Sequence, residues 1–460
     1  MPTAFLASAL IQFALGLVVA WLLGPVEFGF YALALAGAVL AQTLAFEWLR
    51  LAATRFYHKR SGPGLGRVLM RWFVALAALL FLAALLLALL GGERRWLLAL
   101  VPLTAIAAGF ADLHAAMLRA AFESRGYALF LALRNGFALA ALPAAAALSG
   151  RAEPALAAFC LSMIASSAVL VWRMRVPVEP EPENAAEALS RAQLLRYSAP
   201  IVATNLAYLG LFFLIRVGIA WGGGMAAAGQ ASLALDFTLK LFTTAGTAFD
   251  LLFFQLAVRD DRERGEEAGQ ARIASNFQRL LVLIAPMAVG LAFVIARIEP
   301  FLVAPEFQGA FAGFVLAAIP GVTAYALVQY GLHPAFQLRQ DTGSLLIAAM
   351  IAGMAGSVTL GVALGVRAPV LFALAGPILV AMTGAGVKLL HNARLVPGSG
   401  FWLRLSAALA GMSLILWGAG TWGDNPATLI VMVVAGAAGY AVIAWIANPG
   451  DVRALARGAR

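Results

Sequence analysis

One stretch of this chain carries five side chains able to hold charge or hydrogen bonds at the spacing of a single helix face. Asp236, Lys240, Thr243, Thr247 and Asp250 follow one another at intervals of four, three, four and three residues. Side chains at these intervals lie on one side of an α-helix. Their carboxylates, ammonium group and hydroxyls can bind a charged group or transfer a cation.

Two arginines, Arg134 and Arg216, also lie inside apolar stretches, which gives three buried cations with Lys240. Arginine binds phosphate through a bidentate fork, and lysine binds it as a point charge. We therefore take these three as candidate binding residues for an anionic or amphipathic substrate. The polar residues that suit coupling or gating are Asp236, Asp250, Thr243, Thr247, Glu47 and Asp112.

The elements that must position these side chains are long and apolar. Hydrophobic residues make up 63% of the chain and charged residues only 12%. A run of about 18 or more apolar residues can cross a bilayer, and in lipid it must be helical because its backbone groups have no other partner. The sequence therefore predicts an all-α polytopic membrane protein with about fourteen transmembrane helices. The predicted stretches are 4–23, 28–48, 70–91, 96–117, 127–148, 154–173, 198–221, 230–256, 279–297, 311–333, 344–364, 368–388, 404–421 and 428–447.

Charged residues inside such helices are costly, at about 2.5–3.5 kcal/mol on insertion scales, and they usually face an interior or a wet cavity. A structural interpretation stays open for each. Asp236 and Lys240 can form an ion pair one turn apart, and Asp250 can lie at the interface. Arg216 can extend to the nearer membrane surface.

The basic residues are distributed unevenly between the two sides. With the N-terminus inside, 24 of the 32 Lys and Arg residues fall on one side, five on the other and three within helices. The positive-inside rule then places both termini in the cytoplasm. The net charge of +10 is therefore a topology signal with an attraction to anionic lipid, and no nucleic acid partner is expected.

The chain repeats itself at an offset of 200 residues. The matching pairs are Trp21 with Trp221, Gly24 with Gly224, and Gly29 with Gly229. A second similarity links the segment 113–119 to the segment 332–339. Six helices in each repeat keep the same orientation, so the predicted fold has two six-helix bundles related by a pseudo-twofold axis along the membrane normal.

Two further helices follow the duplicated part. The acidic, Pro-rich run at 178–184 is typical of a linker between the repeats. The predicted ranges are an N-terminal bundle at 1–173, a cytoplasmic linker at 174–197, a second bundle at 198–392, and two C-terminal helices with a basic tail at 393–460.

Catalytic and metal motifs are absent from the sequence. It contains no Gly-x-Ser-x-Gly, no P-loop and no metal-ligand spacing among its four histidines, and its one cysteine, Cys160, cannot form an intramolecular disulfide. The predicted outer loops are also too short for a folded domain. We therefore expect a transporter rather than an enzyme, with no catalytic residues, no metal site and no cofactor. Coupling to protons or sodium ions stays open.

Three short segments resemble polysaccharide flippases of the multidrug/oligosaccharidyl-lipid/polysaccharide exporter superfamily. They are Leu22-Leu23-Gly24-Pro25-Val26-Glu27-Phe28-Gly29-Phe30-Tyr31-Ala32, Trp48-Leu49-Arg50-Leu51-Ala52-Ala53-Thr54-Arg55-Phe56 and Val303-Ala304-Pro305-Glu306-Phe307. The resemblance implies alternating access that moves an undecaprenyl-diphosphate-linked oligosaccharide from the inner to the outer leaflet of the bacterial inner membrane. By position, it implies that Arg134, Arg216 and Lys240 bind the diphosphate.

Other functions remain open beside this one. A lipid II flippase has the same fourteen-helix plan, a cation-coupled multidrug exporter belongs to the same superfamily, and a membrane polysaccharide polymerase belongs to a different class. The expected partners are lipid-linked oligosaccharide, membrane lipids, and a polysaccharide polymerase with glycosyltransferases. We expect the protein to act as a monomer.

The charge distribution predicts that the segments 49–69, 174–197 and 257–278 are cytoplasmic. A single cysteine placed in any of them, in a Cys160→Ser background, should not react with an impermeant thiol reagent added to intact cells. Arg151→Cys, on the opposite side, is the matched control and should be labelled. Strong labelling of any of the three segments contradicts the topology.

Overall fold

A computed structural model describes residues 2–57, 62–173, 191–339, 341–393, 395–420 and 425–447. These residues form helices joined by short turns, and they include no strand, which confirms the predicted all-α class. The α-helices are α1 (Pro2–Phe56), α2 (Gly62–Leu90), α3 (Arg95–Ala120), α4 (Ser124–Ser149), α5 (Ala152–Arg173), α6 (Arg191–Arg264), α7 (Glu266–Leu302), α8 (Phe311–Leu327), α9 (His333–Leu338), α10 (Thr342–Gly365), α11 (Val370–Ala393), α12 (Ser399–Ala419) and α13 (Pro426–Ala447).

Two of these helices are far longer than a bilayer is thick. The 55 residues of α1 and the 74 residues of α6 correspond to about 80 and 110 Å at 1.5 Å per residue, against a hydrocarbon core of about 30 Å. Each contains one break, at Gly24 (φ 68°, ψ 171°) and at Gly224 (φ 82°, ψ 172°). Among the described residues, twelve helices are long and apolar enough to span a membrane. Counting both sides of each break gives the fourteen segments expected.

Glycine is what permits both breaks. A positive φ with extended ψ is a conformation that residues with a Cβ rarely adopt, whereas glycine adopts it freely. Pro25 follows the first break and can begin the next helical segment because its missing N–H has no partner there in any case. Met225 follows the second break, so the glycine alone is enough to interrupt the helix.

The segments that follow the two breaks cross at a very short distance. A Cβ added to Gly29 would overlap the carbonyl oxygen of Met225, and a Cβ added to Gly229 would overlap the carbonyl oxygen of Pro25. Under the offset of 200 residues, Pro25 corresponds to Met225 and Gly29 to Gly229. The contact is therefore reproduced when its two sides are exchanged, as a local twofold relation requires. The repeat noted in the sequence thus has a counterpart in backbone geometry at these positions.

The described chain divides into two compact units, Met1–Leu233 and Ala234–Arg460. α6 contributes to both units, because the boundary between Leu233 and Ala234 lies within it. Of the predicted linker 174–197, residues 191–197 belong to α6 and residues 174–190 lie outside the described residues, as does the basic tail from 448 onward. The predicted domain ranges and the relation between the two six-helix bundles stay predictions.

The segments 49–69 and 257–278, which lie between predicted spans, are largely helical where the structure describes them. α1 continues to Phe56, while α6 continues to Arg264 and only Gly265 (φ 90°) separates it from α7. Hydropathy marked where the apolar run ends, but a helix can extend beyond it once its backbone hydrogen bonds are formed. In the second unit, Arg272 donates to Asp260 at 2.6 Å and ties α7 to the polar end of α6.

The first unit has a central helix. In the first unit, α3 packs against α1, α2, α4 and α5. The ring of Phe46 from α1 lies where a side chain at Gly109 would be, and it packs at a tilt against Phe73 of α2, with 4.6 Å between centroids. In the second unit, α8 packs against α7 and α11.

The two C-terminal helices pack on each other and on α7. Arg297 donates to the carbonyl oxygen of Gly420 at 3.0 Å, and the hydroxyl of Tyr440 donates to that of Val282 at 2.9 Å. These bonds give α12 and α13 a fixed position against α7 in the second unit.

The crossing at Gly29 leaves no room for a methyl group. We expect Gly29→Ala to lower the free energy of unfolding by about 1–3 kcal/mol, the usual cost of overpacking. Denaturation of the purified protein in detergent measures this. Gly16→Ala is the matched control, because nothing lies within 4 Å of the position where its Cβ would be. Equal stability of the two variants would contradict the close crossing.

Candidate functional site

The first unit contains a half-buried cation with an acidic neighbour. Arg134 of α4 places Nη1 3.8 Å from Oδ1 of Asp112 on α3. The other carboxylate oxygen of Asp112 accepts a hydrogen bond of 2.8 Å from Nε2 of Gln42 on α1. The structure thus brings together two residues that the sequence singled out, and it adds an amide that the sequence analysis did not identify.

Arg134 is incompletely satisfied. Its side chain is 20% exposed, and its Nε is buried with no hydrogen-bond partner among the described residues. A guanidinium has five N–H donors in a planar fork. The ion pair with Asp112 at 3.8 Å lies beyond hydrogen-bonding distance, so the partly exposed side chain retains donors for an anion.

A small polar cluster lies beside Arg134. Asn135 donates from Nδ2 to the hydroxyl of Ser8 at 2.9 Å, and Gln12 donates to Oδ1 of Asn135 at 3.4 Å. All three groups are uncharged, so a search for charge within apolar stretches overlooks them. Amides within a predicted span would have been the signal, because hydrocarbon leaves them no other partner. The first segment of α1 thus has a polar contact with α4 next to Arg134.

Arg216 lies on α6 before the break at Gly224, and it is buried at 8% exposure. This burial favours an interior position over the alternative in which it extends to the membrane surface. Lys240 lies beyond the break, within the second unit, and is half-buried. The three predicted cations are therefore divided, with Arg134 and Arg216 in the first unit and Lys240 in the second.

The predicted polar stripe of α6 has varied surroundings. Asp236 is exposed, Thr243 donates back to the carbonyl oxygen of Leu239 at 2.6 Å, and Thr247 donates to the hydroxyl of Tyr330 at 3.1 Å. A threonine that bonds the preceding turn has satisfied its own donor. The hydroxyl of Thr247 instead reaches across to Tyr330 of another helical segment, and Asp250, one turn further on, lines a pocket.

Asp250 lines a small pocket in the second unit. The side chains around it are mostly aromatic or apolar, with two polar exceptions, Asn276 of α7 and Tyr330. Asn276 is 6% exposed and donates to the carbonyl oxygen of Phe253 at 2.9 Å, while its own Oδ1 has no hydrogen-bond partner among the described residues. Within the described part of the chain, no cation forms an ion pair with Asp250.

The pocket borders an irregular turn of helix. Tyr330 belongs to a π-helical segment, Val328–Leu332, between α8 and α9. Such segments occur frequently at functional sites. Its ring lies where a side chain at Gly246 would be, which brings the hydroxyl to Thr247. The sequence analysis identified Asp250 and Thr247 but missed Tyr330 and Asn276, because one lies inside an apolar stretch and the other was assigned to a loop.

Two further charged groups form ion pairs near helix ends. Glu47, predicted as a gating or coupling residue, accepts a 2.7 Å hydrogen bond from Nε of Arg50 one turn along α1. Arg94 donates to Glu27 at 2.6 Å and to Glu153 at 2.8 Å. Glu27 also accepts from the backbone N–H of Ala152, where α5 begins. This second group connects α1 just after its break to the starts of α3 and α5.

The described residues contain no group of three or more His, Cys, Asp or Glu side chains that could hold a metal ion. The first unit offers the guanidinium fork of Arg134. The second offers the carboxylate of Asp250 beside the oxygen atoms of Asn276 and Tyr330.

No family model matches the sequence, and no curated protein matches it. Solved structures do resemble it. A lipid II flippase, MurJ, in an inward closed conformation has a TM-score of 0.69 at 14% identity, covering 96% of this chain and 97% of its own. An inward-facing multidrug resistance MATE family transporter of the MOP superfamily has a TM-score of 0.52 at 15% identity, covering 88% and 95%. A MATE structure in the bent conformation has a TM-score of 0.54 at 15% identity, covering 90% and 95%.

Proposed function

We propose that this protein is a flippase that moves an undecaprenyl-diphosphate-linked oligosaccharide from the inner to the outer leaflet of a bacterial inner membrane. The observation that carries the proposal is the incompletely satisfied guanidinium of Arg134 inside an apolar bundle. The fold that the chain shares with MurJ and with MATE transporters supports transport rather than chemistry. A flippase for surface polysaccharide needs a cation that can meet a diphosphate in the membrane interior.

The physical requirement is strict. A diphosphate carries charge that hydrocarbon excludes, so its path must provide fixed cations or dipoles at depth. The planar fork of arginine matches the geometry of phosphate oxygens. Arg134 and the buried Arg216 belong to the same compact unit, and we propose that both contact the diphosphate. Lys240 belongs to the second unit, and its role in binding stays a prediction.

A lipid II flippase is the second candidate. The TM-score of 0.69 with MurJ, against 0.52 and 0.54 with two MATE structures, favours it over drug export. Both candidates require binding of an isoprenoid diphosphate, so the cationic site serves either one. The sugar distinguishes them, and complementation of a strain depleted of its lipid II flippase separates the two.

We further propose that the chain is a multi-pass protein with both termini in the cytoplasm, acting as a monomer near the glycosyltransferases and polymerase of its pathway. The support is the uneven distribution of Lys and Arg between the two sides of the predicted spans.

Arg134→Ala should abolish export of surface polysaccharide in a flippase-null strain, because the diphosphate loses its bidentate partner. Arg134→Lys should retain part of the activity, since lysine keeps the charge and loses the fork. Polymer at the cell surface is measured at matched protein levels. Arg125→Ala is the matched control, an exposed arginine on the same helix, and should export normally. Full complementation by Arg134→Ala would refute the site.

The pocket around Asp250 suits a coupling ion. A carboxylate surrounded by apolar side chains and without a counter-ion is costly unless a proton or cation joins it. The free Oδ1 of Asn276 and the hydroxyl of Tyr330 lie around the same pocket. We propose that Asp250 takes up a proton or a sodium ion during the transport cycle, with Thr247 holding Tyr330 in place.

We expect Asp250→Asn to keep the fold and lose the dependence of lipid translocation on a cation gradient. Proteoliposomes with an imposed sodium or proton gradient, at constant membrane potential, measure the accumulation of a fluorescent lipid-linked oligosaccharide in one leaflet. Glu267→Gln, an exposed carboxylate on α7, is the matched control. Accumulation that still follows the gradient in Asp250→Asn would exclude Asp250 as the coupling residue.

A further inference from the structure

Asp112 occupies an unusual position for the counter-ion of an arginine. Its Oδ2 accepts a 2.8 Å hydrogen bond from Gln42, whereas its Oδ1 is 3.8 Å from Nη1 of Arg134. The carboxylate is therefore held by a neutral amide and only approaches the cation. A relaxed Arg–Asp pair instead forms two parallel hydrogen bonds.

The amide that holds Asp112 has little freedom of its own. Gln42 is 8% exposed and lies on the segment of α1 that follows the break at Gly24. The side chain of Asp112 is 37% exposed and that of Arg134 is 20% exposed, so neither is fully enclosed by protein. The carboxylate lies between Gln42 and the fork of Arg134, with the charge of Arg50 also nearby.

We propose that Asp112 is the residue that releases the substrate, because it competes with the anionic head group for Arg134 and is held back by Gln42. With Gln42 holding the carboxylate, the fork of Arg134 is open to a diphosphate. When the contact with Gln42 breaks, Asp112 moves onto the fork and displaces the anion. This inference rests on the proposed function and assigns the release step to a named residue outside the binding contacts.

The mechanism gives two substitutions with opposite effects. Asp112→Asn removes the competing charge while keeping the shape, so the dissociation constant for a diphosphate should fall about fivefold. Gln42→Leu removes the restraint, so the carboxylate should close on Arg134 and raise the dissociation constant about fivefold. The double variant has no carboxylate for residue 42 to restrain, so the affinity of this variant for the diphosphate should equal that of Asp112→Asn. Coupling of this kind is what a double-mutant cycle measures.

The experiment uses the purified full-length protein in detergent with farnesyl diphosphate as the probe. Inorganic pyrophosphate at the same ionic strength forms a second arm, which separates recognition of a free diphosphate from recognition of a lipid-linked one. Glu93→Gln, an exposed carboxylate of the same unit, is the matched control and should leave the affinity unchanged. If Asp112→Asn does not fold, Asp112→Ser provides the same test.

A second readout separates release from a structural role. In proteoliposomes, Asp112→Asn should lower the maximal rate of translocation while lowering the substrate concentration at half-maximal rate, since bound substrate leaves more slowly. A merely structural residue lowers the rate without tightening binding.

The outcomes distinguish this inference from the proposed function. If Arg134→Ala binds the probe as well as the wild type, the anion site itself is wrong. If Arg134→Ala loses binding but Asp112→Asn and Gln42→Leu shift affinity in the same direction, or neither shifts it, the release role of Asp112 is overturned and the site stands. Opposite shifts with coupling in the double variant establish it.

Discussion

The close crossing of the two segments that follow Gly24 and Gly224 restricts positions 29 and 229 to glycine. Backbone atoms of Pro25 and Met225 lie where side chains at Gly229 and Gly29 would be. In hydrocarbon there is little hydrophobic drive for helices to associate, so close packing through small residues provides much of the attraction. Gln42 lies on the segment that begins at the first break, and the Asp236–Asp250 stripe lies on the segment that begins at the second.

Some carboxylates near helix ends are paired through both oxygens. Glu27 accepts from Arg94 and from the backbone N–H where α5 begins, and Glu47 accepts from Arg50 through both oxygens. Such groups fix helix positions and have little capacity left for a ligand. Arg134 and Asp250 differ from them, since one guanidinium nitrogen of the first has no hydrogen-bond partner and the second has no counter-ion among the described residues. Unsatisfied polar groups in an apolar medium cost free energy unless a ligand completes them, and this cost distinguishes Arg134 and Asp250 from the paired groups.

Much of the fold could be read from the sequence because hydrocarbon imposes one secondary structure on every apolar run. Gly24 and Gly224 were identified through a repeat, although their positive φ values needed coordinates. Helix ends were harder, and residues 257–278 were assigned to a loop because hydropathy does not report where a polar helix stops. Only some of the site residues could be predicted from the sequence. Charge pointed to Arg134, Asp112 and Asp250, but Gln42, Asn276 and Tyr330 are uncharged, and their importance arises only from what they contact.

At the offset of 200, the two units carry different polar residues. Glu47 corresponds to Thr247 and Arg50 to Asp250. In the first unit the carboxylate therefore has a cation one turn away, whereas in the second the acidic residue has none in the described chain.

Phe46 corresponds to Gly246 in the same alignment. The phenyl ring of the first unit packs over Gly109, and in the second unit the space above Gly246 admits the ring of Tyr330 from the π-helical segment. An aromatic ring packs over a glycine in both units, but the second ring carries a hydroxyl close to Asp250. The first contact belongs to a hydrophobic cluster with Leu49 and Phe73, whereas the second borders the pocket of Asp250.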